Sequence, residues 1–243
     1  MSFNGQVLTH TPELPVTSIT YVDFDNSMTA STIQSIIDNT PRYAYSIQFR
    51  FAAGTYTLDR RLVFAGFCGH LVEIRGVNDG SSAYKTQSVV LDFQGQDDGG
   101  ILLKGCSGQS IVRWLRIKIK SVSGTYALAI DNVTGSYVLL NFFEGQNNTT
   151  SGSYGLVTDW GKTYSYRNVF GKLWAALVAQ KMGFNGSNDD YAEAGAGNLP
   201  AYSLHANTAG YCTSLAAYPD YGTAATFQST CGVVDANGSR QSL

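Results

Sequence analysis

From Ser46 to the end of the chain, short apolar runs recur, each opened by an aromatic or small residue and most closed by a polar one. They begin at Gly100, Tyr126, Tyr154, Ala175, Tyr202 and Ala225, as in Tyr126-Ala127-Leu128-Ala129-Ile130-Asp131 and Tyr154-Gly155-Leu156-Val157-Thr158-Asp159. The spacing is a soft period of roughly 25 residues, the mark of a solenoid with variable loops. Most repeats carry a second strand-like run after a turn: Ile111 to Ile119, Tyr137 to Phe143, Tyr164 to Phe170 and Tyr211 to Ala217. Two or three short strands per unit, Gly or Asn at the corners and few helices predict an all-β fold, a right-handed parallel β-helix. A coil buries its inward side chains only with a neighbour above and below, so the stack is one cooperative unit. About eight coils at ~4.8 Å per strand predict a rod near ~40 Å long. Asn-Gly pairs at residues 4–5, 185–186 and 237–238 do not fall between paired strands, which argues against antiparallel hairpins.

Upstream of the repeat the pattern changes. Ile19-Thr20-Tyr21-Val22-Asp23-Phe24 alternates and predicts one strand. Ile33, Ile36 and Ile37 then fall on one helical face, with Thr29 or Ser31 as cap and Pro41 after the end, predicting a helix over 31–39. A short, lone amphipathic helix must cover something already built, and the exposed first coil of a parallel stack needs such a cover. The domain reading is an N-terminal attachment segment, 1–27, followed by a single β-helix domain, 28–243.

Composition narrows the classes. Fifteen Tyr and 12 Phe with only 14% charged residues oppose disorder. A net charge of −2 gives no electrostatic reason for a nucleic-acid or anionic-membrane partner. There is no apolar run of 18 residues, and Met1-Ser2-Phe3-Asn4-Gly5 does not read as a secretory signal, so cytoplasmic synthesis is expected. Cys68, Cys106, Cys212 and Cys231 form no C-x-x-C pair, and with three His in the chain no metal or cofactor is expected.

The run Thr32 to Asp38, then Gln48-Phe49-Arg50-Phe51-Ala52-Ala53-Gly54-Thr55-Tyr56, resembles the opening of the pectate-lyase-like superfamily, a cap helix before an F-x-x-G-x-Y strand. Leu62 to Gly69, Val90 to Gln96, and Lys104-Gly105-Cys106 with Ile111 to Ile117 resemble bacteriophage and prophage tail-fibre β-helix proteins. The likeness spans roughly residues 30–235. It implies a virion component at the tail fibre or tail tip, made in the host cytoplasm and commonly a homotrimer. Its partners would be a bacterial surface polysaccharide or other receptor and neighbouring tail or baseplate proteins. Some such relatives cleave the polysaccharide and others only bind it.

The repeat alignment puts Asp131, Asp159, Gln180, Asn207 and Thr230 in one column at strand exits. Asp131 and Asp159 would be a stacked carboxylate pair at the ~5 Å that retaining glycosidases use. Asp and Asn at strand exits equally serve turn backbone, so the pair is the nearest approach to a catalytic centre without defining one. Trp160 just past the exit, the doublet Asp189-Asp190, and Tyr191, Tyr218 and Tyr221 in later segments complete the candidate glycan- or receptor-binding set. The stretch Gly183 to Asn198 reads as a long insertion, a kind of segment that is usually functional. The expectation is a tail-fibre-type protein that binds a surface polysaccharide without catalysis; the alternatives are a polysaccharide depolymerase on the same fold or a structural tail adaptor.

Overall fold

The computed structural model describes residues 18–78, 87–188, 190–193, 195, 197–214, 217–228, 231–236 and 239–241. The attachment segment expected over 1–27 lies outside this set up to residue 17. Strand β1 (Ile19–Phe24) precedes helix α1 (Ala30–Asn39), and coils follow. The first comprises β2 (Ser46–Phe51), β3 (Gly54–Thr57) and β4 (Leu62–Ala65); the second β5 (Cys68–Arg75), β6 (Val89–Phe93) and β7 (Ile101–Lys104). The third is β8 (Ser107–Arg113), β9 (Arg116–Ile119) and β10 (Thr125–Asp131); the fourth β11 (Gly135–Leu139), β12 (Phe142–Glu144) and β13 (Ser153–Asp159). The fifth is β14 (Lys162–Tyr166), β15 (Val169–Gly171) and β16 (Ala175–Gln180); the sixth β17 (Phe184–Asn188), β18 (Tyr191–Ala192) and β19 (Tyr202–Ala206). Then come β20 (Tyr211–Ser214), β21 (Ala217–Pro219) and β22 (Ala224–Gln228), and finally β23 (Val233–Asp235) and β24 (Ser239–Gln241).

The first strand of each coil, with β1 beneath, builds nine-stranded sheet 1. Second strands from β3 to β18 build six-stranded sheet 2, third strands build seven-stranded sheet 3, and β21 pairs with β24. Neighbours lie a whole coil apart and run parallel, as in β10 on β13 and β11 on β14. This is a parallel β-helix with one α-helix among the described residues, as the repeat predicts. No described helix is long and apolar enough to cross a membrane.

The period-two pattern of the strands sends alternate residues inward, and stacking turns them into columns. Leu62, Ile101, Leu128, Leu156, Leu177 and Leu204 form one column inside sheet 3, none more than 1% exposed. Tyr56, Leu91, Ile117, Phe143, Phe170 and Ala192 form another inside sheet 2. Burying one such Leu or Phe contributes about 1.5–3 kcal/mol. At the corners the chain turns through left-handed residues: Trp114, Leu140 and Arg167 leave sheet 1, and Asn132, Trp160 and Lys181 leave sheet 3 (φ 49–60°). Each costs roughly 1–2 kcal/mol for an L-residue, held in place by strands on both sides.

The N-terminal end is sealed as expected. Thr29 caps α1, its hydroxyl accepting from the Thr32 N–H at 3.2 Å, and Ile33 and Ile37 are fully buried. The Gln34 amide donates to the Val63 carbonyl at 2.9 Å and accepts the Val63 N–H at 2.8 Å, so one side chain serves as a surrogate strand on the outer edge of β4. β1 extends sheet 1 in the same role.

Several local expectations need correction. Gly183 to Asn198 is not an insertion, because β17 and β18 lie inside it as regular rungs. The final coil is out by one: Tyr202 pairs with Ala224, not Ala225. Thr230 lies outside the described residues. Trp114 sits at a corner, with the Arg75 and Arg113 guanidinium groups 4.6 and 4.0 Å from its ring. Trp174 packs outside sheet 3, against Tyr154, Tyr202 and His205. All four cysteines are free; Cys106 and Cys212 are buried and Cys231 is exposed.

Candidate functional site

The outer face of sheet 3 carries the densest chemistry. In β10, Leu128 and Ile130 point inward, so Ala129 and Asp131 point out; the fully buried Ala127 is passed over in the pairing and Tyr126 shares the outer face. The next strand repeats this in register: Tyr126 faces Tyr154, Ala129 faces Val157, Asp131 faces Asp159. The exit column continues to Gln180 on one side and to Lys104 and Ala65 on the other. Between them lies an open groove of about 370 Å³, lined by both tyrosines, both aspartates, Gln180 and Lys181.

Each carboxylate faces its own ammonium. Lys104 is 3.3 Å from Asp131, and Lys181 donates to Asp159 Oδ2 at 2.8 Å. The ion pair raises the Lys181 pKa, its hydrogen bond to Asp159 being the largest cause. The uncompensated like-charge contact of a proton-sharing dyad is therefore not what the groove offers. Asp159 is only 9% exposed and its Oδ1 has no hydrogen-bond partner. A buried carboxylate oxygen without a donor costs free energy unless something supplies one. Burial pushes the Tyr126 hydroxyl up to about 12, with the Arg61 guanidinium, 4.1 Å from the ring, acting in the opposite direction. Burial also raises Tyr154. Both phenols are therefore hydroxyl donors at neutral pH, beside flat apolar faces.

The other predicted residues do not gather here. Trp160 is 55% exposed at the corner directly after Asp159 and does not line the groove. Tyr191 is half-buried in β18 beside Val169, and Tyr221 packs half-buried against the core. Tyr218 is 7% exposed and part of the core, so it offers no binding surface; an apolar ring in β21 is better placed inside. Asp189 lies outside the described residues. Asp190 has no exposed surface and cannot be a surface ligand. It ends an interior ladder in which the Asn141 amide donates to Asn168 Oδ1 at 3.0 Å, and the Asn168 amide donates to Asp190 Oδ1 at 3.1 Å. The repeat pattern takes Tyr126 and Tyr154 only as openers of apolar runs and passes over Lys181, although Tyr-x₄-Asp repeats at 126–131 and 154–159.

Asp190 yields a pH prediction. Burial raises its pKa to about 6, against hydrogen bonds from the Asn168 N–H, Ser165, Ser187 and the Asn168 side chain. The unfolded value is near 3.9, so between about pH 4 and 6 the folded state binds the extra proton and stability falls as pH rises. The two-unit shift corresponds to a cost on the order of 3 kcal/mol above pH 6. Asp190→Asn extends the amide ladder and removes the charge. Urea unfolding midpoints at pH 4.5 and 7.5 are expected to show the variant gaining on the parent at the higher pH; a constant difference would contradict this.

No family model matches the chain, and no curated protein matches its sequence.

Proposed function

We propose that the protein binds a bacterial surface polysaccharide through the sheet 3 groove, as the receptor-binding part of a phage-type tail fibre. The observation that carries the binding step is Asp159 Oδ1, a buried acceptor without a donor, in a groove walled by Tyr126 and Tyr154. A sugar ring resting on a tyrosine face and donating a hydroxyl to that oxygen satisfies it. Asp131, Asp159 and Asp98 are matched by Lys104, Lys181 and Arg61, so the groove suits an uncharged sugar. The virion setting, a homotrimeric state and contacts with other tail or baseplate proteins are proposed on the resemblance alone.

The test is calorimetric titration with capsule and lipopolysaccharide oligosaccharides from a panel of bacteria. A hydrogen bond to a charged group is worth about 1.5–3 kcal/mol, so Asp159→Asn is expected to weaken binding roughly 10- to 100-fold without lowering the thermal midpoint. Binding that is indifferent to Asp159→Asn would refute the groove assignment. A second reading, a depolymerase, is favoured by the in-register Asp131/Asp159 pair. It requires new reducing or unsaturated ends on incubation with the bound glycan, abolished in Asp131→Asn.

A further inference from the structure

Sheet 1 carries a second outward surface of different character. In β11, β14, β17 and β20 the inward residues are Ser136 and Val138, Thr163 and Ser165, Asn185 and Ser187, and Cys212 and Ser214, all buried. The outward positions include a ring on each of the four strands, where a solvated face normally carries polar residues. Tyr137 lies 5.5 Å from Tyr164, Tyr164 5.9 Å from Phe184, and Phe184 5.6 Å from Tyr211, one ring per rung over four rungs. Tyr137 is 39% exposed. Gly186 stands beside Tyr164 in the register, so that column offers no side chain on the far side of the ring. A second row, Leu139, Tyr166 and Asn188, runs parallel, and the two rows wall a groove of about 370 Å³.

The charged side chains recorded against these rings are cationic, and the outer column through Tyr137 and Tyr164 reaches a carboxylate two rungs past Tyr164's neighbour Gly186, at Asp235 of β23. Lys162 lies 5.0 Å from the Tyr164 ring and 5.3 Å from that of Phe184, and it is exposed, with no carboxylate in salt-bridge reach among the described residues. Arg167 lies 5.1 Å from the Tyr166 ring. None of β11, β14, β17 and β20 contains Asp or Glu. We infer that the outer face of sheet 1 is a track for a linear anionic polysaccharide, its rings stacked on Tyr137, Tyr164 and Phe184 and its acidic groups drawn to Lys162. Aromatic faces accept the C–H faces of pyranose rings, and one platform per ~4.8 Å rung suits an extended chain lying along the rod. The sheet 3 groove presents carboxylates and the sheet 1 groove presents none, so the two faces select different glycans. The inference stands whether or not the sheet 3 groove binds sugar.

The experiment titrates the full chain, at low salt, with an alginate hexasaccharide, a heparin-derived hexasaccharide and maltohexaose, reading calorimetry and intrinsic fluorescence. At least one acidic hexasaccharide is expected to bind, with maltohexaose at least tenfold weaker and the acidic affinity falling steeply toward about 0.5 M salt. Tyr164→Ala and Lys162→Gln, the latter at an exposed side chain, are each expected to weaken binding at least fivefold. The inference is overturned if neither acidic probe binds, if maltohexaose binds equally well and that binding is lost in Tyr164→Ala, or if Lys162→Gln binds like the parent. It is also overturned if sedimentation shows an oligomer that Tyr137→Ala with Tyr164→Ala dissociates, because the face then joins copies of the chain.

Discussion

Replacing Asn168 by Leu is expected to lower the unfolding free energy by roughly 3–6 kcal/mol, from two or three buried polar groups orphaned at about 1–3 kcal/mol each. The side chain is fully buried at the corner between sheets 1 and 2. Its amide donates to the Val138 carbonyl at 2.7 Å, the Ser165 hydroxyl at 2.9 Å and Asp190 Oδ1 at 3.1 Å. Its oxygen accepts the Asn141 backbone N–H at 2.9 Å and side-chain amide at 3.0 Å. Leu fits the volume but leaves the Asn141 backbone N–H and one of its two side-chain amide protons, the other going to the Val112 carbonyl, without partners or water. A domain of this kind holds about 5–15 kcal/mol in total, so the loss is a large fraction of it. Urea denaturation followed by far-ultraviolet circular dichroism measures it. A double-mutant cycle with Asn141→Ala should be strongly non-additive, since both act through one ladder; additive losses would show that the two residues contribute separately.

The ladder has a sequence signature that hydrophobic periodicity does not reveal. Asn141, Asn168 and Asp190 each sit two residues past a sheet 1 strand and directly before the next sheet 2 strand. The segments Leu139-Leu140-Asn141-Phe142-Phe143, Tyr166-Arg167-Asn168-Val169-Phe170 and Asn188-Asp189-Asp190-Tyr191-Ala192 align once the coils are known. The apolar runs drew the alignment toward sheet 3, whose strands of four to seven residues carry a clear pattern. Sheet 2 strands shrink to three and then two residues at β12, β15 and β18, too short for periodicity to register. That is why Gly183 to Asn198 reads as a loop and Asp190 as a surface acid.

The site divides along the same line. Asp131 and Asp159 were placeable because sheet 3 register follows from the repeat, and the structure pairs them as aligned. Their compensation by Lys104 and Lys181 was not: one ammonium sits at the exit of the preceding coil and the other at the left-handed corner after β16. The aromatic track on sheet 1 was hidden by its own composition, because Tyr137, Tyr164 and Tyr211 open strand-like runs and so read as part of the repeat. Only the side-chain directions separate a ring that packs inside from one that faces water.

The N-terminal seal gives the second large effect. Ile33→Ala with Ile37→Ala is expected to destabilise the fold by about 4–7 kcal/mol, each buried Ile→Ala costing about 2–5 kcal/mol and the pair adding incompletely. Both side chains are fully buried in the core cluster at the end of the stack. Losing the helix uncovers the β4 edge, where Gln34 now serves both the N–H and the carbonyl of Val63. Parallel edges without cover invite pairing with another chain, so the double variant should also associate end to end as concentration rises. Gln34→Ala separates the two consequences. It leaves the apolar contacts of Ile33 and Ile37 in place and frees only the edge, so it should lower stability by about 1–3 kcal/mol yet raise association measurably in sedimentation velocity. A stable, monomeric Gln34→Ala protein would show that the helix acts through its apolar face alone, and that covering the edge of the first coil is incidental to how the stack ends.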